Sequence, residues 1–464
     1  MDYDVLILGG GIVGCAVAYE LSKYNINIAL IEKDYDVAND VSLVNTAVVY
    51  DGSETSDYVM AKLENSGMKL IQKHCEKFNL PYKRVGALRI SSNDSGNKRL
   101  DIMYNKANER GISGVHLIED NAIYDIEPNL KIKAEKALYS ENIAVISPYN
   151  LAISYAEVAA DNGVNFRLEE EVIDIKNVSK GFKVTTNKNK FTCKFVVNTI
   201  PSEIFAGRYV EGKNEVINKK MNYILFNENL DNYINSVIIN DIDEDAFVIN
   251  IPTASKENLI GIKGYDFLSL EDGLQLSKSI LQDVKKEVVM NIFTETYSKG
   301  NTLIDDNKIQ DGYIKVTGSH YSKITIAPAI AEKIEESLKT NMNITKKRDY
   351  VDKNREMYTF KNMSKEQRNE IIALDSRYGN IICSCNNVTE GEIIDCIRRP
   401  LGARTVEGVK RRTGIGLGSC NGSYCKMKII KILAREMNKS PLSIVYDSMD
   451  SKVLVSRIKE FNEI

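Results

Sequence analysis

The sequence predicts an α/β chain with a separate small helical unit at its C-terminus. Three observations predict it. Residues 5–32 run strand, glycine-rich turn, helix, strand. Strand-like and helical patterns then alternate to about residue 345. Last, five of the eight cysteines, Cys383, Cys385, Cys396, Cys420 and Cys425, gather behind a polar connector. At 464 residues there is length for about three domains, or two with one large.

Each element has a local reason. Val5–Leu8 is a short apolar run with β-branched content, a first strand. A helical pattern over Ile12–Tyr24 follows the glycines, and Ile28–Ile31 makes a second strand ending at Glu32, a compact βαβ unit. Met60, Leu63, Met68 and Leu70 among charges predict a helix over 54–77. Ser147-Pro148 reads as an N-cap followed by proline at the first helical position, with the helix running to Asn162 and stopped by Gly163. Strand runs follow at 172–175, 183–186 and 195–198, then strands with polar turns over 212–265. Ala327–Leu338 is a further amphipathic helix. Residues 346–378 read as a Lys/Asn-rich connector with a helical patch at Glu366–Leu374, so the chain divides into 1–345, 346–378 and 379–464.

Composition narrows the function classes. Hydrophobic residues at 43% and charged residues at 27% are ordinary for a globular protein and exclude a disordered or collagen-like chain. Lys plus Arg is 61 against 64 Asp plus Glu, so no overall field attracts nucleic acid or an anionic membrane. Three histidines leave little room for a His-based metal site. The acidic start, Met1-Asp2-Tyr3-Asp4, is unlike a secretory leader. The apolar stretch Val5–Leu21 is broken by Gly9, Gly10, Gly11 and Gly14, and is shorter than the ~20 residues of a membrane span. A cytoplasmic protein with no membrane span is expected.

Gly9-Gly10-Gly11-Ile12-Val13-Gly14 fits G-x-G-x-x-G in the context that gives the pattern meaning: a strand before, a helix after, and an acid at the end of the next strand. Gly9 permits the tight turn, Gly11 lets a pyrophosphate approach, and Gly14 allows close helix–strand packing. The helix N-terminus aims free N–H groups at the phosphates, and Glu32 accepts from ribose hydroxyls. The competing reading is a Gly-rich turn with no ligand.

The cysteines form C-x-C (Cys383, Cys385) and C-x4-C (Cys420, Cys425). Four thiolates are the usual shell of a [2Fe–2S] cluster. Structural zinc also takes four cysteines, typically from C-x2-C knuckles, and unliganded thiols are the third possibility. Gly414, Gly416, Gly418 and Gly422 would let backbone N–H groups bend toward the sulfurs. Cys396 falls on a helical patch, Glu392–Arg398, and reads as a small core hydrophobe.

On these residues, Tyr3–Glu32 resembles the FAD-dependent oxidoreductases of the D-amino-acid oxidase superfamily, in the branch of anaerobic glycerol-3-phosphate dehydrogenase and 2-hydroxyglutarate dehydrogenase. Leu43–Val49, Arg84–Leu88, Glu127–Leu130, Gly318 and Ala327–Ala331 add to the likeness. Tyr378–Cys385, Arg398–Thr405, Val409–Gly414 and Gly418-Ser419-Cys420 resemble the bacterioferritin-associated-ferredoxin-like (BFD-like) [2Fe–2S] domain fused to such flavoproteins. The resemblance implies FAD in a glutathione-reductase-like Rossmann domain, and an α+β mixed-sheet substrate domain over about 54–145 and 205–300. It places FAD against Gly9, Gly11, Ile12, Gly14, Glu32, Lys33, Asn45, Thr46, Val172, Gly318 and Thr325, and the cluster on Cys383, Cys385, Cys420 and Cys425. It implies a dehydrogenase of a small hydroxy acid, amino acid or glycerol 3-phosphate. Electrons would leave singly through the cluster to a redox partner protein or companion subunit.

The departures cluster where substrate chemistry belongs. Tyr50-Asp51-Gly52 stands for His-Ala-Gly, Asn198-Thr199-Ile200-Pro201 for Asn-Ala-Ala-Gly, Tyr297 for an arginine, and Tyr321-Ser322-Lys323-Ile324-Thr325 for Ser-Pro-Gly-Leu-Thr. One reading is a changed substrate, with Lys299, Lys323 or His320 taking over. The catalytic candidates are then His320 as base, Lys323 and Tyr50. The other is a non-catalytic or electron-relay subunit that keeps the fold and the cluster. A zinc-stapled flavoprotein is a third. The plainer readings are a surface-loop His320 and packing roles for Tyr50 and Tyr297. His74 and His116 receive no role, and Lys346-Lys347-Arg348 reads as a solvated run.

Overall fold

The computed structural model describes residues 1–40, 46–200, 218–226, 233–243, 246–253, 258–265, 268–281, 284–298, 303–305, 309–318, 320–418 and 420–456. The first sheet is built from apolar runs, as a sheet covered on both faces requires. Its parallel part is ordered Asn165–Arg167, Ile28–Ile31, Tyr3–Leu8, Lys190–Asn198, Tyr313–Thr317. Helices Ile12–Leu21, Pro148–Asp161 and Lys323–Asn341 cover one face in the largest apolar core. The antiparallel strands Val172–Val178 and Gly181–Thr186 extend from the start of Lys190–Asn198 and help cover the other.

The second sheet has eight strands, ordered Val289–Ser298, Asn218–Phe226, Asn258–Lys263, Phe247–Pro252, Val237–Asp241, Ala87–Ser91, Lys136–Ser140, Val115–Glu119. It is mixed: Val237–Asp241 and Ala87–Ser91 run parallel and the other neighbours antiparallel. Side chains alternate across it. Leu88 and Ile90 enter a core shared with Ile224, Ile238 and Ile262. Ala87 joins Val237, Ile249 and Tyr297 on the opposite face, where Tyr50 and Tyr321 pack.

At the C-terminal end, helices Glu390–Arg398, Val406–Thr413 and Lys426–Glu436 enclose their own core beside a two-stranded ladder of Ile381–Cys383 and Val388–Thr389. A capping box between Thr389 and Glu392 starts the first helix. Gly414, at φ +71°, ends the second in a left-handed cap.

Several sequence expectations need adjusting. The first helix stops at Leu21, three residues before Tyr24. The helix expected over 54–77 starts at Tyr58, because the Asp57 side chain caps it by accepting the Met60 N–H. The helix expected from Ala327 starts at Lys323 and takes Pro328 inside. Proline removes one donor, and the Ile326 N–H already closes the preceding turn on the Ser322 carbonyl at 3.2 Å. The residues expected as a connector, 346–378, bond back to the first part of the chain. Lys347 N–H donates to Lys23 O at 2.8 Å, and Arg355 forks onto Asp161 at 2.7 and 2.9 Å. Among the described residues no helix is long and apolar enough to cross a membrane.

Candidate functional site

The glycine-rich turn is shaped by contacts that tolerate no side chain. Gly9 sits at φ +98°. A Cβ on Gly14 would stand 2.0 Å from the Gly9 carbonyl oxygen, so helix and strand touch backbone to backbone. Gly11 caps the helix without a side chain. The free donor of Ile12 meets the carboxylate of Asp40 at 3.0 Å, and a Cβ on Gly11 would come within 2.8 Å of that carboxylate. Asp40 thus holds the donor at this helix terminus, and the same donor would serve a phosphate of FAD once Asp40 gives it up. Glu32 accepts the N–H of Gly10 at 2.6 Å and of Asp34 at 2.9 Å, which fixes it at the end of its strand. Burial raises its pKa.

The other expected cofactor residues scatter around this cradle. Thr46 is buried, Lys33 is exposed, and Asn45 lies outside the described residues. Val172 is buried in the core on the far side of the parallel sheet. Gly318 takes φ +81° just before the loop of His320. Thr325 accepts the Tyr50 N–H at 3.1 Å and donates to Val48 O at 3.3 Å, joining the strand Ala47–Val49 to the helix Lys323–Asn341. Lys323, read from sequence as catalytic, turns toward the nucleotide end. Its ammonium donates to the Asp40 carbonyl and lies 3.6 Å from the Asp40 carboxylate.

His320 and Tyr50 meet in an aromatic group between the two sheets. The Tyr321 ring lies 4.1 Å from His320, 5.4 Å from Tyr50 and 6.2 Å from Tyr297, centroid to centroid. Burial, and then the charge of Lys263, hold the His320 pKa down to about 4, so the ring is neutral near pH 7. Its Nδ1 lies 2.7 Å from the Ser322 hydroxyl. Burial also pushes the Tyr50 phenol far above its ordinary value, so it is un-ionised. Lys299 and Pro201 lie outside the described residues.

Two cations here escaped the sequence reading. Lys263 places its ammonium 5.1 Å from the Phe247 ring centroid and 5.2 Å from that of Tyr321. The Arg89 guanidinium lies 5.4 Å from the Phe247 centroid. Arg89 is buried, its ion pairs to Asp241 and Glu54 are loose at 3.3 and 3.7 Å, and its Nε and Nη1 lack hydrogen-bond partners. The signal was present: an arginine in the middle of Ala87-Leu88-Arg89-Ile90-Ser91 puts a charge inside a strand buried on both faces. Glu64 was missed as well. It is 1% exposed, it accepts the Thr55 hydroxyl at 2.6 Å, and burial raises its pKa to about 7.

The four expected cluster cysteines stand as two pairs. Cys385 and Cys420 sulfurs are 3.6 Å apart, and Cys383 and Cys425 are both buried. Two thiolates on one tetrahedral metal with ~2.3 Å bonds sit ~3.8 Å apart, so the first pair has about the span of two ligands on one metal ion. Among the described residues no three such side chains converge on a single ion. Backbone N–H groups of Gly422, Tyr424 and Ser423 face the Cys420 sulfur, and with Cys385 they lower its pKa, Gly422 most. A Cβ on Gly418 would lie 2.5 Å from the Cys385 Cβ, so only glycine fits. Cys396 is a core residue, as expected, with its thiol pushed up to about 12 by burial.

The remaining two histidines each have a partner. His74 is buried against the Tyr155 hydroxyl at 2.7 Å, and His116 pairs with Glu141 at 3.0 Å on the surface.

Residues 4–336 match the family described as FAD dependent oxidoreductase, and residues 381–435 match the BFD-like [2Fe-2S] binding domain. The chain is 32% identical to a glycerol 3-phosphate dehydrogenase of Caloramator mitchellensis, over 98% of this chain and 99% of that one. It is 24% identical to a glycerol 3-phosphate oxidase of Mycoplasma pneumoniae, over 74% of this chain and 96% of the relative. Among solved structures, the dithionite-reduced L-alpha-glycerophosphate oxidase of Mycoplasma pneumoniae with FAD bound superposes with a TM-score of 0.67 at 22% identity, covering 76% of this chain and 98% of that one. L-proline dehydrogenase from P. horikoshii follows at 0.64 and 20%, covering 74% and 94%. The nucleotide cradle and the paired thiols therefore sit in a chain that belongs to the FAD-dependent oxidoreductase family and carries a BFD-like [2Fe–2S] domain behind it.

Proposed function

We propose that the chain is a dehydrogenase of a small anionic hydroxy compound, with glycerol 3-phosphate the first candidate, and that its electrons go to a partner protein. The observation that carries this reading is the pair of cations, Arg89 and Lys263, flanking Phe247 beside the neutral imidazole of His320. The relative that matches end to end is itself a glycerol 3-phosphate dehydrogenase.

The chain's own residues divide the work. Arg89 and Lys263 hold the anionic end of the substrate, replacing the family arginine whose position Tyr297 takes. Neutral His320 accepts the hydroxyl proton, with Ser322 fixing its ring. Tyr50, Tyr297 and Tyr321 exclude water from the reacting carbon. Gly9, Gly11, Ile12, Gly14 and Glu32 hold FAD, and Lys323 serves its phosphate end. Cys383, Cys385, Cys420 and Cys425 hold the cluster. Bound FAD supplies a two-electron hydride acceptor and the cluster a one-electron exit, which is the basis for a partner protein as acceptor.

The parallel sheet with its antiparallel extension supports the glutathione-reductase-like class of the FAD domain. The second sheet supports a substrate domain over about 54–145 and 205–300, with the connector at 346–378 and the cluster domain at 379–464. A cytoplasmic location belongs to the same reading.

The test is anaerobic bleaching of the flavin in protein loaded with FAD and iron, offering sn-glycerol 3-phosphate, L-2-hydroxyglutarate, glycine and L-proline separately. Bleaching by glycerol 3-phosphate, with KM raised about tenfold or more in Arg89→Met, is the expected result. If no candidate bleaches a correctly loaded protein, the reading gives way to the relay subunit, whose pocket the three tyrosines would simply fill.

A further inference from the structure

The loop 34–40 follows Glu32 and folds back over the glycine-rich turn. Ala38 N–H donates to Gly10 O at 2.8 Å, and Asp40 takes the Ile12 N–H. Ala38 itself is at φ +61°, a conformation alanine adopts only when its surroundings hold it there.

What holds the other side of this loop is the C-terminal domain. Arg412 forks onto both oxygens of Asp36 at 2.5 and 2.8 Å, and a third bond to Leu401 O at 2.7 Å orients the guanidinium. Tyr149 reaches the same carboxylate at 3.1 Å. Both members of the ion pair are buried, with side-chain exposures of 1% and 4%. Arg411 donates to Asn39 at 2.6 Å. The helix bearing both arginines, Val406–Thr413, ends at Gly414, whose carbonyl accepts the Asn386 side chain at 2.6 Å. Asn386 follows Cys385, and the chain beyond Gly414 leads to Cys420. One helix end therefore touches the nucleotide loop on one side and the Cys383–Cys385 loop on the other, and leads into the Cys420 loop.

We infer that Arg412, aided by Arg411, is a positioning residue through which the [2Fe–2S]-binding domain sets the nucleotide loop, so that tight FAD retention requires that domain docked with its cysteine loops ordered. Among the described residues the other interdomain ion pair is Arg399 with Glu157 at 2.6 Å, two turns further along the helix Pro148–Asp161 than Tyr149. Docking thus has its own anchor, and the Arg412 contact falls on the cofactor loop. Linkage makes the effect reciprocal: FAD binding favours the docked domain by the same factor.

The experiment measures FAD release from the full chain by the return of flavin fluorescence, alongside iron content and the thermal midpoint. Arg412→Lys keeps the charge but loses the fork, Asp36→Asn loses the carboxylate, and Asn39→Ala removes the Arg411 contact together with the Asn39 bond to Asp34 within the loop. Arg355→Ala, which pairs with Asp161 in the connector, is the control. The expected result is FAD held about tenfold or more weakly in Arg412→Lys and Asp36→Asn, less so in Asn39→Ala, and unchanged in Arg355→Ala, with iron retained throughout. Stripping iron from the unaltered protein with a chelator under argon should also speed FAD release. FAD binding within twofold of the unaltered protein in iron-loaded Arg412→Lys and Asp36→Asn overturns the inference. Should those two fail to fold, unchanged release in both Asn39→Ala and the iron-stripped protein overturns it equally. No substrate enters the readout, so the result is independent of the dehydrogenase reading.

Discussion

Gly14→Ala is the sharpest probe of the nucleotide cradle, because its effect can be worked from one distance. The added carbon would stand 2.0 Å from the Gly9 carbonyl oxygen, where real Cβ atoms essentially never come under 3.0 Å. Both partners are backbone, so neither can rotate away. The N-terminal turn of the helix must move off its strand by about 1 Å, which lengthens a ~2.9 Å hydrogen bond from that terminus to a phosphate beyond its useful range. One charge-assisted bond is worth ~1.5–3 kcal/mol, which predicts FAD binding about ten- to hundredfold weaker. The overpacked contact itself costs ~1–3 kcal/mol of stability. The assay is FAD titration of the deflavinated chain, followed by flavin fluorescence, with iron content measured in parallel. Gly379→Ala is the control, since its added carbon meets only the Ile372 side chain at 3.5 Å. If Gly14→Ala binds FAD as tightly as Gly379→Ala, the backbone contact does not set the cradle and the reasoning fails.

Two further outcomes follow from buried groups. Burial pushes the His74 pKa down to about 3, against an unfolded value near 6.5, so the folded state holds the ring neutral. The stability this preserves is complete above pH ~6.5 and is lost as pH falls toward 3, by at most ~1.4 kcal/mol per unit. His74→Gln keeps an acceptor for Tyr155, so its urea midpoint should fall less than that of the unaltered chain between pH 7 and pH 4.5; parallel curves would refute the assignment. At the thiol site, Cys425→Ser should abolish most iron binding while Cys396→Ala leaves it intact, read by iron content and visible absorption. Loss of iron from Cys396→Ala would mean the wrong four cysteines were chosen.

Much of the fold was legible because its signals are local. The turn at Gly9–Gly14 has one backbone solution, and the residues carrying it are contiguous. Ser147-Pro148 and Gly163 bracket a helix by cap chemistry alone, and that helix runs Pro148–Asp161. The Glu392–Arg398 patch belongs to a helix opened by a capping box written into Thr389–Glu392. By contrast, residues 78–146 hold strands Ala87–Ser91, Val115–Glu119 and Lys136–Ser140, which pair across a long helix, Asp94–Glu109. Strands of that kind are decided by partners dozens of residues away, so their short apolar runs carry little weight on their own.

The site divides along the same line. Cofactor chemistry is recognised through backbone N–H groups and close glycine contacts, which a sequence motif records directly. Substrate chemistry depends on side chains that converge from distant elements. Tyr297 pointed to a missing cation, and sequence reasoning searched nearby, at Lys299, Lys323 and His320. On the proposed function the cations come from two other strands, Arg89 on Ala87–Ser91 and Lys263 on Asn258–Lys263, both near the Phe247 ring. Lys323 meanwhile turns to Asp40 at the nucleotide end. A cation lost from one strand of a sheet can be supplied from any other strand whose side chain reaches the same face. The pleat preserves the face while the chain position changes. On the proposed function, charge inside an apolar strand, as at Arg89, is therefore a better guide to such a replacement than proximity in sequence.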